Sequence, residues 1–189
     1  MNRFFQVRMI VVALLLGLTS HIWSDEPCVS GVAVGKRPGP YSFLVATGPQ
    51  RGQPTCYICE TEDRPAVVVF ARTPTESLGK LVKALDGAVS DNKAADMRGW
   101  VTFLSKGDEG FEEKIVKWGR DQAIRTMPLG LFENNDGPPS YKLAGDADVT
   151  VLLFVKQKVV ANFAFRAGEL KDERIKEVMA TIPGLLGKK

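Results

Sequence analysis

Two cysteines separated by two residues are the feature of this sequence best suited to chemistry. They occur in Cys56-Tyr57-Ile58-Cys59, and the only other cysteine of the chain is Cys28. Two thiols at this spacing can close a small disulfide ring and exchange electrons with another thiol pair. The spacing therefore predicts a dithiol–disulfide redox centre at Cys56 and Cys59.

Other roles for the cysteines remain open at this stage. In an exported protein, Cys56 and Cys59 could instead form a structural disulfide that pins a loop. A zinc site would need Cys28 and a carboxylate to complete four ligands, which disfavours it. Cys28 itself could be a resolving thiol, an intermolecular bridge or a free residue.

Histidine is nearly absent from the chain. The single histidine is His21, which lies inside the predicted leader, so the remaining residues contain none. This excludes Ser-His-Asp and Cys-His catalysis, a His-ligated haem and most zinc sites from the mature domain. We therefore expect any chemistry to come from cysteine, carboxylate, lysine or tyrosine side chains or from the backbone, and we predict no cofactor.

The N-terminus has the pattern of a secretory signal peptide. Arg3 and Arg8 precede a continuous apolar run over residues 9–18, which is short for a membrane span. We expect a signal peptide over residues 1–24 with cleavage before Asp25, and hence an exported protein, periplasmic or extracellular, without a stable membrane anchor. The alternative is an uncleaved N-terminal anchor.

The charge of the chain disfavours nucleic acid as a partner. The formal net charge is +3, and removing Arg3 and Arg8 with the leader reduces it to +1. No domain-scale positive field remains to bind a phosphate backbone. The expected partners are protein thiols and disulfides, or an unidentified protein.

The elements that must position the cysteines alternate between strands and helices. Residues 25–65, rich in proline and glycine, predict an extended N-terminal arm with a strand at 41–47. Ala66–Ala71 is an apolar run typical of a buried central strand, and Thr73-Pro74-Thr75-Glu76 predicts a helix capped by Thr73. The remaining predictions are strands at 100–104, 129–133, 149–155 and 159–165, a helix with Phe111, Ile115 and Trp118 on one face, and a last helix at 171–181. This order indicates an α/β protein with a mixed sheet of five or six strands.

Two stretches resemble the thioredoxin superfamily. One is Cys56-Tyr57-Ile58-Cys59, and the other is Ile124-Arg125-Thr126-Met127-Pro128-Leu129-Gly130-Leu131-Phe132, which is similar to the place where thioredoxins have a cis-proline. The long spacing before the last two strands resembles the redoxin or peroxiredoxin branch. The resemblance implies a thioredoxin-like three-layer α/β/α domain with a mixed central sheet over residues 66–189. It also implies that Pro128 and Thr73 support the cysteine pair.

The sequence departs from the superfamily in where its thiols lie. The resemblance implies a reactive cysteine just after the first core strand, but residues 73–77 contain none, and Cys56 and Cys59 precede that strand. About seven residues, 60–66, could extend over 20 Å and bring the cysteine pair back over the sheet. Glu60, Glu62 and Asp63 follow the pair and disfavour a thiolate.

Three functions are consistent with these features. The first is thiol–disulfide exchange in which Cys56 attacks a partner disulfide and Cys59 resolves the mixed intermediate. The second is a non-catalytic thioredoxin-fold binding or structural domain stabilised by a Cys56–Cys59 disulfide. The third, a redoxin-type peroxidase, is disfavoured because threonine and serine occupy the expected peroxidatic position.

Overall fold

The computed structural model describes residues 26–187, so the predicted signal peptide lies outside the described residues. The strands are β1 (Phe43–Val45), β2 (Pro54–Thr55), β3 (Ala66–Ala71), β4 (Arg98–Leu104), β5 (Leu129–Phe132), β6 (Ala147–Val155) and β7 (Lys158–Arg166). The helices are α1 (Tyr57–Thr61), α2 (Glu76–Asp91), α3 (Phe111–Asp121), α4 (Asp172–Ala180) and α5 (Ile182–Leu185). Within this part of the chain, every helix is too short or too polar to cross a bilayer.

The strands form one mixed sheet in the order β2-β1-β5-β4-β3-β6-β7. Strands β3, β4 and β5 are parallel, whereas β6 runs antiparallel to β3 and β1 antiparallel to β5. The sheet has seven strands rather than five or six because the short β2, which the sequence pattern does not reveal, pairs with β1. The α/β class and the mixed sheet are as expected.

Strand β3 lies inside the sheet between β4 and β6, as its apolar composition predicts. Each of its six residues is at most 1% exposed. Valine dominates the strand because β-branched side chains pack well on both faces of a covered sheet. Burying each such side chain contributes roughly 1.5–3 kcal/mol.

The two faces of the sheet are covered differently. Helices α2, α3, α4 and α5 pack on one face through an aliphatic core that includes Leu81 and Leu85 of α2. The opposite face carries a mostly aromatic cluster covered by α1 and the N-terminal segment: Tyr41, Phe43, Tyr57, Phe70, Trp100, Tyr141 and Phe154. The N-terminal segment is held there because the Asn162 side chain donates hydrogen bonds to the carbonyl oxygens of Ser30 and Val32.

One local prediction, the residue that caps α2, needs correction. Helix α2 is capped by Thr75 rather than Thr73, because the helix begins at Glu76 and the Thr75 hydroxyl accepts a hydrogen bond from the Leu78 amide. Thr73 instead lies with Asp148 in the wall of the same cavity. The isomer of the Met127–Pro128 peptide bond, which the sequence leaves open, is trans in the structure.

Candidate functional site

Cys56 and Cys59 form a disulfide at the start of α1. The S–S distance is 2.04 Å and the two Cα atoms are 5.3 Å apart. Cys56 is the N-terminal capping residue, and its sulfur accepts a hydrogen bond of 3.3 Å from the Cys59 amide. Cys59 is exposed and Cys56 is partly exposed. A partner's sulfur can therefore reach the disulfide from solvent.

Helix α1 is fixed on the sheet by its first residue, Tyr57. The Tyr57 ring is 5.5 Å from the Phe43 ring and 5.6 Å from the Trp100 ring, centroid to centroid. The Thr61 hydroxyl donates to the Tyr57 carbonyl at 2.7 Å, and Arg64 Nε donates to the Thr61 carbonyl at 3.0 Å. These contacts fix where the disulfide lies relative to the strands.

Carboxylates near the disulfide face two arginines. Glu60 lies 4.0 Å from the Arg98 guanidinium, and Glu62 lies 3.6 Å from that of Arg64. Arg64 also donates to Asp96 at 2.8 Å, and this hydrogen bond lowers the pKa of Asp96. The sequence places only Arg64 near the cysteine pair, whereas the fold adds Arg98 from β4. The fold also adds Asp96, so the surroundings of the disulfide remain acidic overall.

A cavity of about 420 Å³ lies beside the disulfide, at the amino ends of β4 and β5. Burial, together with the nearby Glu60 carboxylate, raises the pKa of the Tyr57 phenol in its wall to about 12, so the phenol stays neutral at physiological pH. We call this cavity the α1 pocket; it is lined by Pro49, Gln50, Tyr57, Glu60, Val89, Asp96, Met97, Arg98, Gly99, Trp100, Thr126 and Pro128. Pro128 is thus brought to the same region as the cysteine pair, through its place in this wall.

Asp86 of α2 holds the loop that forms one wall of the α1 pocket. Its carboxylate accepts hydrogen bonds from the backbone amides of Arg125, Thr126 and Met127 at 3.2, 2.7 and 2.6 Å. Sequence reasoning missed Asp86. The available signal was a carboxylate on the apolar face of a helix, four residues after Val82.

The second predicted supporting residue, Thr73, lies at the opposite end of β3. The six residues of β3 separate the two regions by about 20 Å along the strand. A cavity of about 300 Å³ there is lined in part by Thr73, Thr75, Ser77 and Asp148. Burial raises the pKa of Asp148, opposed by the Thr73 hydrogen bond and by Arg72. The fold does not bring Thr73 to the cysteine pair.

Cys28 is also remote from the disulfide. It lies near Asp146 and Arg166, at the end of the sheet where β6 begins and β7 ends. Partial burial, together with the Asp146 carboxylate, raises the pKa of the Cys28 thiol, which keeps it protonated. Cys28 therefore does not act as a resolving thiol for Cys56 or Cys59 within this arrangement.

Residues 26–187 contain no cluster of side chains suited to bind a metal ion. No group of three or more histidine, cysteine, aspartate or glutamate side chains there is arranged to hold an ion. The zinc site that the sequence disfavours would need all three cysteines as ligands, and Cys28 lies away from Cys56 and Cys59.

Solved structures with a similar fold include thiol–disulfide proteins. A proposed protein disulfide isomerase from Bacteroides thetaiotaomicron has a TM-score of 0.64 and 16% identity, covering 85% of this chain and 94% of its own. A proposed thiol:disulfide interchange protein DsbE from Chlorobium tepidum has a TM-score of 0.58 and 11% identity, covering 80% and 99%. A yeast mitochondrial 1-Cys peroxiredoxin has a TM-score of 0.52 and 13% identity, covering 79% and 76%.

No protein-family model matches the sequence, and no curated protein matches it either. At these identities the structural similarity establishes the fold alone. The chain has a thioredoxin-like fold with a Cys-x-x-Cys disulfide, as the sequence resemblance predicted.

Proposed function

We propose that this protein is an exported thiol–disulfide oxidoreductase whose reactive centre is the Cys56–Cys59 disulfide at the amino end of β3. The observation that carries the proposal is an accessible disulfide, partly or fully exposed at both cysteines, on a helix held firmly against the sheet. The surrounding fold is that of thiol–disulfide proteins. Protein thiols and disulfides are the proposed substrates.

The short span of the disulfide favours exchange over stabilisation. It joins cysteines three positions apart, so it closes a loop of only four residues. Chain-entropy arguments give such a loop roughly 2 kcal/mol of stabilisation, against about 4.7 kcal/mol for a loop of 100 residues. A disulfide that constrains so little chain is poorly suited to be a staple, whereas its exposure suits exchange.

The exchange follows from the local hydrogen bonding. In the reduced protein, the Cys56 thiolate is the better nucleophile, because the Cys59 amide donates to the Cys56 sulfur and stabilises negative charge there. Cys56 attacks one sulfur of the partner's disulfide, forms a mixed disulfide and expels the partner's first thiolate, which takes a proton from water. Cys59 loses its proton to water and attacks the Cys56 sulfur, which expels the second thiolate. Two electrons pass to the partner, and an external dithiol reductant returns the pair to the reduced state.

Export is supported by the signal-like N-terminus and by the disulfide itself. Arg3, Arg8 and the apolar run at 9–18 have the pattern of a secretory leader. Disulfides persist in oxidising compartments outside the cytoplasm. Expression of the full chain in a bacterial host, followed by cell fractionation and N-terminal sequencing, tests this: the product should begin near Asp25 and leave the cytoplasm.

Insulin reduction in the presence of dithiothreitol tests the exchange activity. The native protein should accelerate precipitation of the insulin B chain, and Cys56→Ser should abolish the acceleration. Cys28→Ser is the matched control, since Cys28 is remote from the pair, and it should retain the native rate. Equal rates for the native protein and Cys56→Ser would reject the proposal.

A second candidate function is a non-catalytic domain that binds another protein, with Cys56–Cys59 as a staple. The observation that favours it is the separation of the disulfide from the carboxyl end of β3, where Thr73, Thr75 and Ser77 stand in place of thiols. Under this function, removing the disulfide lowers the melting temperature and leaves partner binding nearly intact.

A further inference from the structure

The α1 pocket lies next to the disulfide because the two share helix α1. Tyr57 and Glu60 line the pocket, and each is adjacent in sequence to one of the cysteines. A polypeptide whose sulfur bonds Cys56, the residue before Tyr57, therefore lies close to the pocket. A segment of the exchange partner is therefore the expected occupant of the α1 pocket.

The charges at the rim of the pocket are already paired. The Arg98 guanidinium lies between Glu60 and Asp96, at 4.0 and 3.8 Å, and Asp96 also accepts from Arg64 at 2.8 Å. Arg64 also lies 3.6 Å from Glu62, so three carboxylates surround two guanidinium groups and a small excess of negative charge remains. A charged ligand would gain little here and would lose hydration on entering.

The floor of the pocket is apolar. Val89, Met97 and Pro128 contribute aliphatic surface, and Tyr57 and Trp100 contribute aromatic rings. Aromatic rings prefer edge-to-face or offset contacts with other rings. The volume of about 420 Å³ is at the small end of ligand sites in proteins, which suits one large side chain rather than a cofactor.

We infer that the α1 pocket is a specificity subsite that takes an uncharged aromatic or large aliphatic side chain next to the target cysteine of the exchange partner. This inference rests on the proposed function and adds the substrate class: cysteines flanked by a large apolar residue. The subsite lies at the amino ends of β4 and β5 and is formed by α1, β4 and the loop before β5.

Peptide mixed disulfides test the inference. The fully reduced chain is mixed with peptides of sequence Gly-Xaa-Cys whose cysteine carries a thionitrobenzoate group, and release of the coloured thiol is followed. Cys56 and Cys59 become oxidised, while the peptide thiol and thionitrobenzoate are released in reduced form. With phenylalanine as Xaa, the second-order rate constant should exceed that for glycine by about tenfold, whereas glutamate should give no increase over glycine. Equal rate constants for phenylalanine and glycine would overturn the subsite.

Filling the pocket from its rim provides the matched variants. Thr126 is an exposed lining residue whose backbone amide, not its side chain, bonds Asp86. Thr126→Trp should bring the ratio of the phenylalanine to the glycine rate constant close to one. Val160→Trp adds the same ring at a 44% exposed position on β7 and should preserve the tenfold ratio. A ratio that is unchanged in Thr126→Trp would place the recognition elsewhere.

A binding measurement separates failure of the subsite from failure of exchange. If no peptide disulfide reacts at all, the proposed function fails. The subsite is then decided with Gly-Phe-Ser, which cannot exchange, by amide chemical shifts of the isotope-labelled protein. Shifts concentrated at Tyr57, Gly99 and Thr126 would support the subsite, and their absence at millimolar peptide would reject it.

Discussion

The two ends of strand β3 offer different chemistry. At its amino end lie an exposed disulfide, two arginine–carboxylate groupings and a pocket with an apolar floor. At its carboxyl end, Thr73, Thr75 and Ser77 face the half-buried Asp148, and the Arg72 guanidinium donates to the carbonyls of Ala147 and Ala144. The carboxyl end thus carries hydroxyl, carboxylate and guanidinium groups, whereas the disulfide lies at the amino end.

The helices at the two ends also differ. Helix α2 begins after the carboxyl end and has 16 residues, whereas α1, which carries the disulfide, has five. A long helix stabilises a thiolate at its first turn through its dipole and its free amides. At α1, the corresponding stabilisation of a thiolate comes from the hydrogen bond that the Cys59 amide donates to the Cys56 sulfur. The comparison indicates that a thiolate at the start of α1 is stabilised less than one at the start of α2 would be.

The largest expected effect is a loss of activity when the amino end is altered, without a comparable loss when the carboxyl end is altered. Thr73→Val removes the hydroxyl at the carboxyl end and should leave the rate of insulin reduction within about twofold of the native rate, because Thr73 and the disulfide lie at opposite ends of β3. Cys59→Ser should reduce turnover to the uncatalysed rate, since the mixed disulfide on Cys56 then has no resolving thiol. A strong loss of activity in Thr73→Val would show that the carboxyl end takes part in the reaction.

Asp86→Ala should give the next largest effect, at the amino end. Three backbone amides lose their charged acceptor, which should lower the free energy of unfolding by about 3 kcal/mol in urea titrations. Asp86→Asn keeps one acceptor oxygen and should lose less. The exposed Asp91, at the end of the same helix, supplies the control: Asp91→Ala should change stability by less than about 0.5 kcal/mol.

Removing the disulfide tests whether the amino end is a staple. Replacing both Cys56 and Cys59 by alanine should lower the free energy of unfolding by roughly 2 kcal/mol, as expected for a four-residue loop. Cys28→Ala is the control, since it measures how replacing a cysteine outside the disulfide changes the free energy of unfolding. A loss well above 4 kcal/mol in the double variant would favour the structural role over exchange.

The smallest expected effect is pH-dependent and belongs to the carboxyl end. Burial raises the pKa of Asp148 above its ordinary value of 3.8, so the folded protein binds this proton more tightly than the unfolded chain does. The ionised carboxylate therefore reduces stability above the folded pKa, and this cost disappears as the pH falls below 3.8. Asp148→Asn should be slightly more stable than the native protein at pH 7 and equal to it at pH 3. Thermal unfolding at the two pH values measures this, and a destabilised variant at pH 7 would contradict it.

Much of the fold could be predicted because local patterns carry it. Ala66–Ala71 is apolar throughout and became the buried strand β3, and the helical spacing of Leu78, Leu81, Leu85 and Val89 produced the buried face of α2. The alternation of these elements gave the mixed sheet. The helix cap was misplaced by two residues because Thr73 and Thr75 are both residue types that suit the role, and in the structure it is the Thr75 hydroxyl that accepts from the Leu78 amide.

The sequence by itself determined that Cys56 and Cys59 can form a disulfide, since their spacing is local. Only the tertiary structure decided which end of the sheet they occupy. Residues 60–66 are long enough, when extended, to carry the cysteine pair toward either end, but α1 uses part of that length and Arg64 pins the following turn to Asp96. Arg98 and Pro128 line one pocket with Tyr57 and Glu60 of α1 for the same reason: contacts between distant segments follow from packing the whole sheet, which no local pattern encodes.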